Sequence, residues 1–226
     1  MRHFDIESYM RDITGLLREN FGGRLLYVGL QGSYLRGEAT EKSDIDVAVV
    51  IDGLSAGDLA VYRGIIEALD SPERSCGFIC GKDELKKWNP LEMCNFLHGT
   101  KDYYGRIAEL LPEFSSEDVV NFVKLSAGNL YHEITHRYIH ADIEENKSKL
   151  AYSYKNVFFI LQSIYYLKTG VFYPTKNELS EHLSKKDKEM LERAAYLMAC
   201  NGCDSYDFEE AFGALFEWCG EILRSF

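Results

Sequence analysis

Residues 32–51 of the chain read GSYLRGEATEKSDIDVAVVI. The apolar run at the end of this stretch is typical of a buried strand, and Asp44 and Asp46 stand where that strand begins. Side chains alternate faces along a strand, so the two carboxylates point the same way, about 7 Å apart along the backbone. Two carboxylates on one buried face repel each other and lose hydration unless a cation binds between them. Oxygen ligands of this kind suit Mg²⁺ that carries substrate phosphates, so the pattern predicts a magnesium site at Asp44 and Asp46.

Gly32 and Ser33 follow a second apolar run, Leu25–Leu30, at the other end of the stretch. A glycine turn at the end of a strand exposes backbone N–H groups and, here, a hydroxyl to a phosphate. Taken singly, the two elements read as turns beside an edge strand. Their occurrence together at the ends of neighbouring strands favours a nucleoside triphosphate site with a metal, to which Ser43 also contributes.

The same residues carry a family resemblance. Residues 32–37 and 42–47 resemble the G-S-x10-D-x-D signature of the polymerase-β-type nucleotidyltransferase superfamily. The resemblance implies a mixed β-sheet with helices on one side. It also implies that Gly32 and Ser33 hold the triphosphate and that Asp44 and Asp46 hold Mg²⁺, so that a nucleoside monophosphate moves to an acceptor hydroxyl.

Two later segments of the chain resemble a particular group within that superfamily. Residues 98–112 are similar to the segment that joins the two domains of aminoglycoside adenylyltransferases of the streptomycin/spectinomycin group, and residues 155–170 are similar to that group's long helix and T-G turn. The resemblance implies transfer of AMP from ATP to a small, aminoglycoside-like acceptor. It implies that Lys176 contacts the ATP phosphates, a role that suits its compact charge, and it allows a homodimer.

The chain departs from that group in two places. The group's third carboxylate, a general base, belongs on the third strand, where residues 76–80 contain no acid, and Gln162 stands where the group has an arginine that contacts ATP. A replacement base has four candidates: Glu73, Glu133, Asp142 and Glu144. The departures keep two alternatives open, a catalytically degenerate nucleotide-binding or interaction module and a nucleotidyltransferase that modifies a protein.

A competing motif, H-E-x-x-H, occupies residues 132–136. On a helix it places His132 and His136 one turn apart beside Glu133, as in zinc proteases, and His140 continues the same face. The extended protease motif needs a glycine and a third histidine that are absent in register, although Glu178 or Glu181 could supply a ligand. A zinc hydrolase, a metal site on the three histidines and plain surface histidines all remain open.

Composition places the chain in a broad class. Its 226 residues include 46% hydrophobic ones and carry a net charge of −11, which argues against a nucleic-acid partner and suits a small or cationic acceptor. No apolar stretch has the length of a membrane span, and the first residues lack the apolar core of a signal peptide, so we expect a cytoplasmic protein. The six cysteines lack the spacing of a disulfide framework, and the C-x2-C at residues 200–203 lacks the second pair that a zinc site requires.

The order of local patterns predicts an α+β protein with two domains. A small mixed-sheet nucleotidyltransferase domain occupies residues 1–112, and an all-helical bundle domain occupies residues 113–226. The predicted elements of the first are a helix over Ile6–Phe21, strands over Leu25–Leu30 and Val47–Ile51, a helix from Ser55 to Leu69, a strand over Ser75–Cys80, and a short helix and fourth strand within Asp83–Tyr104. Ser115 to Asp118 form a helix-start signal for the second.

Overall fold

The computed structural model describes residues 4–200, apart from the side chain of Cys200, and residues 206–226. The chain divides into two compact units, residues 1–113 and residues 114–226. The C-x2-C motif at residues 200–203 lies outside the described residues. None of the helices in the described ranges has the length and apolar character that crossing a bilayer requires.

From residue 4 onward, the first unit contains four strands and five α-helices. They are α1 Ile6–Phe21, β1 Leu25–Leu30, α2 Gly32–Leu35, β2 Ile45–Ile51, α3 Ala56–Glu67, β3 Ser75–Gly81, α4 Lys82–Leu85, α5 Met93–His98 and β4 Lys101–Tyr104. The predicted α1 has the observed bounds, because its apolar spacing matches one buried face and Gly22 ends it with a positive φ of 53°. Ser55 caps α3, at the start that the sequence predicts, and forms a reciprocal capping box with Asp58.

The sheet has the order β3-β2-β1-β4. Strands β2 and β4 run antiparallel to β1, and β3 runs parallel to β2. The parallel pair is joined through α3, as a crossover connection requires. The mixed sheet that the resemblance implies is therefore confirmed.

Strand β2 is buried on both faces, which explains its uninterrupted apolar sequence. Ile45, Val47 and Val49 face α1 and α3 on one side of the sheet. Ala48 and Val50 face a smaller cluster that includes Leu85 and Ile107 on the other side. The two long helices thus lie on one side of the sheet, as the family resemblance implies. Short segments cover the opposite face, which is also the face of Asp46.

The second unit is all-helical. Its helices are α6 Ser116–His140, α7 Ile143–Ser153, α8 Lys155–Thr169, α9 Lys176–Ser180, α10 Lys185–Cys200 and α11 Phe208–Ser225. Ser115 caps α6 through a capping box with Asp118, at the start that the sequence predicts. Tyr154 is fully buried between helices and donates its hydroxyl to the carbonyl of Ala211 at 2.6 Å. Together the two units give the predicted α+β fold class.

Asp58 provides the clearest pH dependence of stability. Arg24 donates to both carboxylate oxygens at 3.2 and 2.6 Å, and Ser55 donates through its amide and hydroxyl at 2.8 Å. These bonds, those from Arg24 first, hold the pKa of Asp58 well below its usual value. The stabilisation is fully present above the unfolded-state pKa of about 3.9 and is lost as the pH falls toward the folded-state value.

Asp58→Asn is therefore expected to lower the melting temperature at pH 7, with a deficit that narrows as the pH is lowered from about 5. Thermal melts of wild type and variant across this range measure the deficit. Asp118→Asn is the matched control, because Asp118 forms the same box with Ser115 and the hydrogen bonds described for it come from that serine alone. A deficit for Asp58→Asn that equals the control's at every pH would contradict a role for Arg24.

Candidate active site

The predicted phosphate and metal residues of the first unit lie at the adjoining ends of β1 and β2. Gly32 and Ser33 begin α2 directly after β1, Asp44 immediately precedes β2, and Asp46 is the second residue of β2. The amide of Gln31 donates to the carbonyl of Asp46 at 2.8 Å, which joins the two strand ends. The antiparallel pairing of β1 and β2 thus brings together residues that are eleven or more positions apart.

Gly32 is in direct contact with the carboxylate of Asp46. Its φ is +70°, in the left-handed region that side chains rarely adopt. A Cβ built on Gly32 would overlap Oδ2 of Asp46 and would lie 2.7 Å from its Cγ. The position therefore accepts glycine alone for two independent reasons, and the backbone of residue 32 is held against a carboxylate.

The electrostatics of the two carboxylates match the strand-alternation argument. Asp46 is half-buried and Asp44 is exposed. Burial, followed by repulsion from Asp44, raises the pKa of Asp46, while a hydrogen bond from Cys76 and the positive charge of Arg36 oppose the rise. The charged form of Asp46 is thus destabilised by its own surroundings, which is the condition that a bound cation relieves.

These carboxylates fit a divalent ion that brings other ligands with it. Within residues 4–200 and 206–226, no group of three or more histidine, cysteine, aspartate or glutamate side chains is arranged to hold a metal. Mg²⁺ is commonly bound through one or two carboxylates, with waters and substrate phosphates filling the remaining positions. The donor set at Asp44 and Asp46 fits that mode and does not fit a closed protein cage.

Cys76 occupies the position beside Asp46 on the neighbouring strand. The parallel register pairs Asp46 with Cys76, and the exposed thiol donates a hydrogen bond to the carboxylate. Partial desolvation by neighbouring atoms and the nearby Asp46 charge raise the pKa of this thiol, so it stays protonated and acts as a donor. The sequence identifies a third strand without an acid, but the register is needed to see that a cysteine faces Asp46.

The four candidate replacement bases are engaged elsewhere or exposed. Glu133 forms an ion pair with Arg137 and accepts from Ser153 at 2.8 Å. Asp142 caps α7, and Glu144 pairs with Lys147 at 3.4 Å. Glu73 is exposed in the 3-10 turn before β3. Local contacts thus account for three of the four.

Ser43 has a structural role in the loop before β2. Its Oγ accepts from the amide of Thr40 at 2.9 Å and lies 3.2 Å from the Thr40 hydroxyl. Its carbonyl accepts two hydrogen bonds from Arg74, at 3.3 and 3.1 Å. The side chain that we predict to bind phosphate therefore also closes the turn that leads to Asp44.

The segment that resembles a domain junction contributes to the end of β1. Gln31 donates from Nε2 to the hydroxyl of Thr100 at 2.7 Å, and Thr100 donates to the carbonyl of Phe96 at 2.6 Å. Thr100 directly precedes β4. The segment thus positions the residue that leads into Gly32.

Lys176 lies in the second unit. It is the first residue of α9, half-buried, with its Nζ 5.9 Å from the centre of the Phe158 ring. Thr175 caps the helix by accepting from the amide of Glu178 at 3.2 Å. Gln162, at the position of the expected arginine, is buried and donates to the carbonyl of Tyr173 at 2.6 Å, which anchors the segment before α9. The phosphate role of Lys176 stays a prediction.

The three histidines form a ladder on α6. Ring centres are 5.8 Å apart for His132 and His136, and 4.6 Å apart for His136 and His140. Glu133, which a zinc hydrolase would use as its base, is bonded to Arg137 and Ser153 instead. The described part of the chain contains no further ligand that would complete a metal site with these histidines. The three histidine side chains are exposed on the surface of α6.

Two arginines near the site were not predicted from the sequence motifs. Arg36 pairs with Glu38 at 3.0 Å and its charge reaches Asp46. Arg74 contacts the loop between Ser33 and Asp44. Arg36 stands inside the quoted stretch, so its position between the two motifs was a usable signal. Arg74 is 28 residues from Asp46 in sequence, and no local sequence pattern predicted its role.

Comparison with known proteins agrees with this geometry. Residues 10–89 match the nucleotidyltransferase domain family, a range that contains both carboxylates and the Gly32 turn. The fold of the whole chain is similar to that of spectinomycin adenyltransferase from Enterococcus faecialis, whose crystal structure was determined with ATP and spectinomycin. The TM-score is 0.58 at 16% sequence identity, over 97% of this chain and 100% of that chain. No curated protein sequence matches the chain.

Within the matched nucleotidyltransferase domain, the sheet holds the Asp46 carboxylate against the Gly32 turn. The match to that domain identifies the protein as a nucleotidyltransferase, an enzyme that transfers nucleotides. In fold it resembles the aminoglycoside adenylyltransferases.

Proposed function

We propose that this enzyme transfers AMP from ATP to a hydroxyl of a small, aminoglycoside-like acceptor, with Mg²⁺ held by Asp44 and Asp46. The observation that carries the proposal is the contact of the Asp46 carboxylate with the backbone of Gly32, with Asp44 close enough to raise the pKa of Asp46. That contact supports a metal site beside the predicted phosphate turn. Magnesium, when bound, would neutralise the phosphates and help to ionise the acceptor hydroxyl.

The side chains of this enzyme would then act by positioning and by charge. Gly32 lacks a Cβ, so a phosphate can approach its backbone closely, and the Ser33 hydroxyl offers a donor at the first turn of α2. Ser43 supports the loop that leads to Asp44. Lys176 would offset negative charge on the departing pyrophosphate. Catalysis of this kind rests on preorganised geometry more than on covalent chemistry by the protein.

The acceptor class is inferred from charge and fold. The net charge of −11 disfavours a nucleic-acid acceptor, whose phosphates require basic surface, and suits an acceptor that carries amines. The similar solved structure contains spectinomycin and ATP. A small aminocyclitol or aminoglycoside hydroxyl is therefore the acceptor that we expect.

The test is an acceptor screen with two readouts. The protein is incubated with ATP, Mg²⁺ and a panel that includes spectinomycin, streptomycin and other aminoglycosides, and pyrophosphate release and the mass of each acceptor are measured. We expect one acceptor to gain an adenylyl group together with stoichiometric pyrophosphate. Binding of ATP without pyrophosphate release for any acceptor would overturn the proposed reaction in favour of a nucleotide-binding module.

Lys176→Gln is expected to raise the KM for ATP about tenfold, with a smaller change in kcat, because a charge-assisted contact to phosphate is removed. Steady-state kinetics at saturating acceptor measure both constants. Lys185→Gln is the control, since Lys185 also begins a helix of the second unit but its side chain is 93% exposed and pairs with Glu189 at 3.9 Å. Equal effects of the two substitutions would argue against a phosphate contact by Lys176.

A further inference from the structure

Arg74 is bonded to both ends of the loop that separates the phosphate turn from the carboxylates. Its Nε and Nη2 donate to the carbonyl of Ser43 at 3.3 and 3.1 Å. Its Nη2 also donates to the hydroxyl of Tyr34. Tyr34 directly follows Ser33, and Ser43 directly precedes Asp44. One guanidinium therefore spans the two ends of the predicted Mg–ATP site without touching either carboxylate in the contacts described.

The guanidinium is also held by aromatic rings. Its central carbon lies 4.6 Å from the centre of the Phe4 ring and 5.5 Å from that of Tyr34. The two rings meet edge to face at 5.8 Å. Cation–π attraction to two rings restricts the movement of the guanidinium, which favours the position from which it reaches Ser43 and Tyr34. The Arg74 side chain therefore loses little conformational entropy when its hydrogen bonds to Ser43 and Tyr34 form.

The loop between these anchors has little regular structure of its own. After α2 it continues from Arg36 to Asp44 through turns without a further helix or strand. Loops of this kind move more than the strands they join. Strand β1 sets the position of Gly32 and β2 sets that of Asp46, while Ser33 and Asp44 depend on the loop. A tie between Tyr34 and Ser43 restricts the two residues that the sheet does not hold.

We propose that Arg74 is a positioning residue that sets the separation of Ser33 and Asp44 for Mg–ATP. This inference rests on the proposed function, since it assumes that Ser33 meets phosphate and Asp44 meets the metal. Arg74 acts through the loop and does not contact substrate. Lysine cannot replace it, because an ammonium lacks the planar fork that reaches a carbonyl and a hydroxyl together.

The test combines calorimetry with hydrogen exchange. For Arg74→Ala we expect the Kd of Mg–ATP to rise at least tenfold with unchanged stoichiometry, and the amides of residues 33–44 to exchange faster in the protein without nucleotide. Arg74→Lys is expected to show most of this loss. Tyr34→Phe, which keeps the ring and removes one anchor, is expected to show a smaller loss in the same direction.

Arg24→Ala is the control, because Arg24 supports the opposite end of β2 through Asp52, Gly53 and Asp58. It is expected to lower the melting temperature with no change in the Kd of Mg–ATP. A purely structural role for Arg74 would lower the binding stoichiometry and leave the Kd unchanged, and that result would overturn the inference. Unchanged exchange of residues 33–44, or rescue by Arg74→Lys, would overturn it as well.

Failure of the proposed function is distinguishable from failure of this inference. A wild-type protein that binds no Mg–ATP refutes the proposed function before any variant is made, and the inference falls with it. A wild type that binds Mg–ATP, with Arg74→Ala binding equally well, refutes the inference alone.

Discussion

Asp46→Asn is expected to lower the rate of nucleotide transfer about 10³-fold and, without metal, to raise the melting temperature of the protein. Asparagine has the shape of aspartate but no charge, so a metal ligand is lost while the destabilised charged form is also removed. The surroundings that raise the pKa of Asp46, its burial and the repulsion from Asp44, are the source of that destabilisation. Loss of a metal ligand removes several kcal/mol of transition-state stabilisation, which is a rate decrease of about 10³-fold.

Three measurements check this expectation. Pyrophosphate release gives the rate, thermal melts without metal give the stability, and calorimetry of ATP with and without Mg²⁺ gives the binding. Asp44→Asn is expected to lose activity to a similar degree, with a smaller gain in melting temperature because Asp44 is exposed. Asp83→Asn is the control, since Asp83 is an exposed carboxylate of the same unit that pairs with Lys86 at 4.0 Å. Transfer activity retained by Asp46→Asn would contradict the proposed metal site.

Gly32→Ala is expected to weaken Mg–ATP binding at least about 100-fold, because the new methyl group would displace the carboxylate of Asp46. Gly37→Ala is the matched control within the same loop. The two glycines have nearly the same φ, +70° and +68°, but a Cβ on Gly37 would meet nothing within 4 Å. Both substitutions therefore carry the same backbone strain, about 1–2 kcal/mol. Only Gly32→Ala adds a collision with a predicted metal ligand.

Melting temperatures and the Kd of Mg–ATP separate the two effects. We expect both variants to lose stability through the shared backbone strain, while Gly37→Ala keeps the wild-type Kd within about twofold. If the two variants lost affinity equally, the strained turn alone would explain the effect. The contact between residue 32 and Asp46 would then have no part in binding.

Local signals in the sequence account for much of the fold. Ser55 and Ser115 predict the starts of α3 and α6, and both form capping boxes whose partners lie three residues away. The run before Gly32 predicts β1 with its observed bounds, Leu25–Leu30. Signals of this kind are reliable because every group they need is within one helical turn or one strand.

For the candidate site, the sequence predicts one feature, and the other contacts are seen only in the structure. Strand alternation predicts that Asp44 and Asp46 share a face, and the effect of Asp44 on Asp46 agrees with it. The contact of Gly32 with Asp46, the pairing of Cys76 with Asp46 and the ties of Arg74 were not predictable. Each depends on the sheet register or on packing between residues 14 to 40 positions apart.

The H-E-x-x-H motif also shows that local sequence does not specify the partners of a side chain. The sequence places His132 and His136 one turn apart, and α6 does so. Packing of α7 against α6 then brings Ser153 to Glu133, which occupies the carboxylate that a zinc hydrolase needs. A motif specifies the spacing of side chains, while their partners come from elements that the motif does not contain.

By itself, then, the sequence determined the bounds of α1 and β1, the starts of α3 and α6 and the α+β class, and it predicted that the two carboxylates share a face. Those features follow from periodicity and capping, which act over a few residues. The tertiary structure alone decided that Asp46 lies against Gly32, that a thiol stands beside it and that Arg74 joins the two ends of the loop. Strand register and side-chain packing set these contacts, because they are minima of the whole folded unit and no short segment contains both partners.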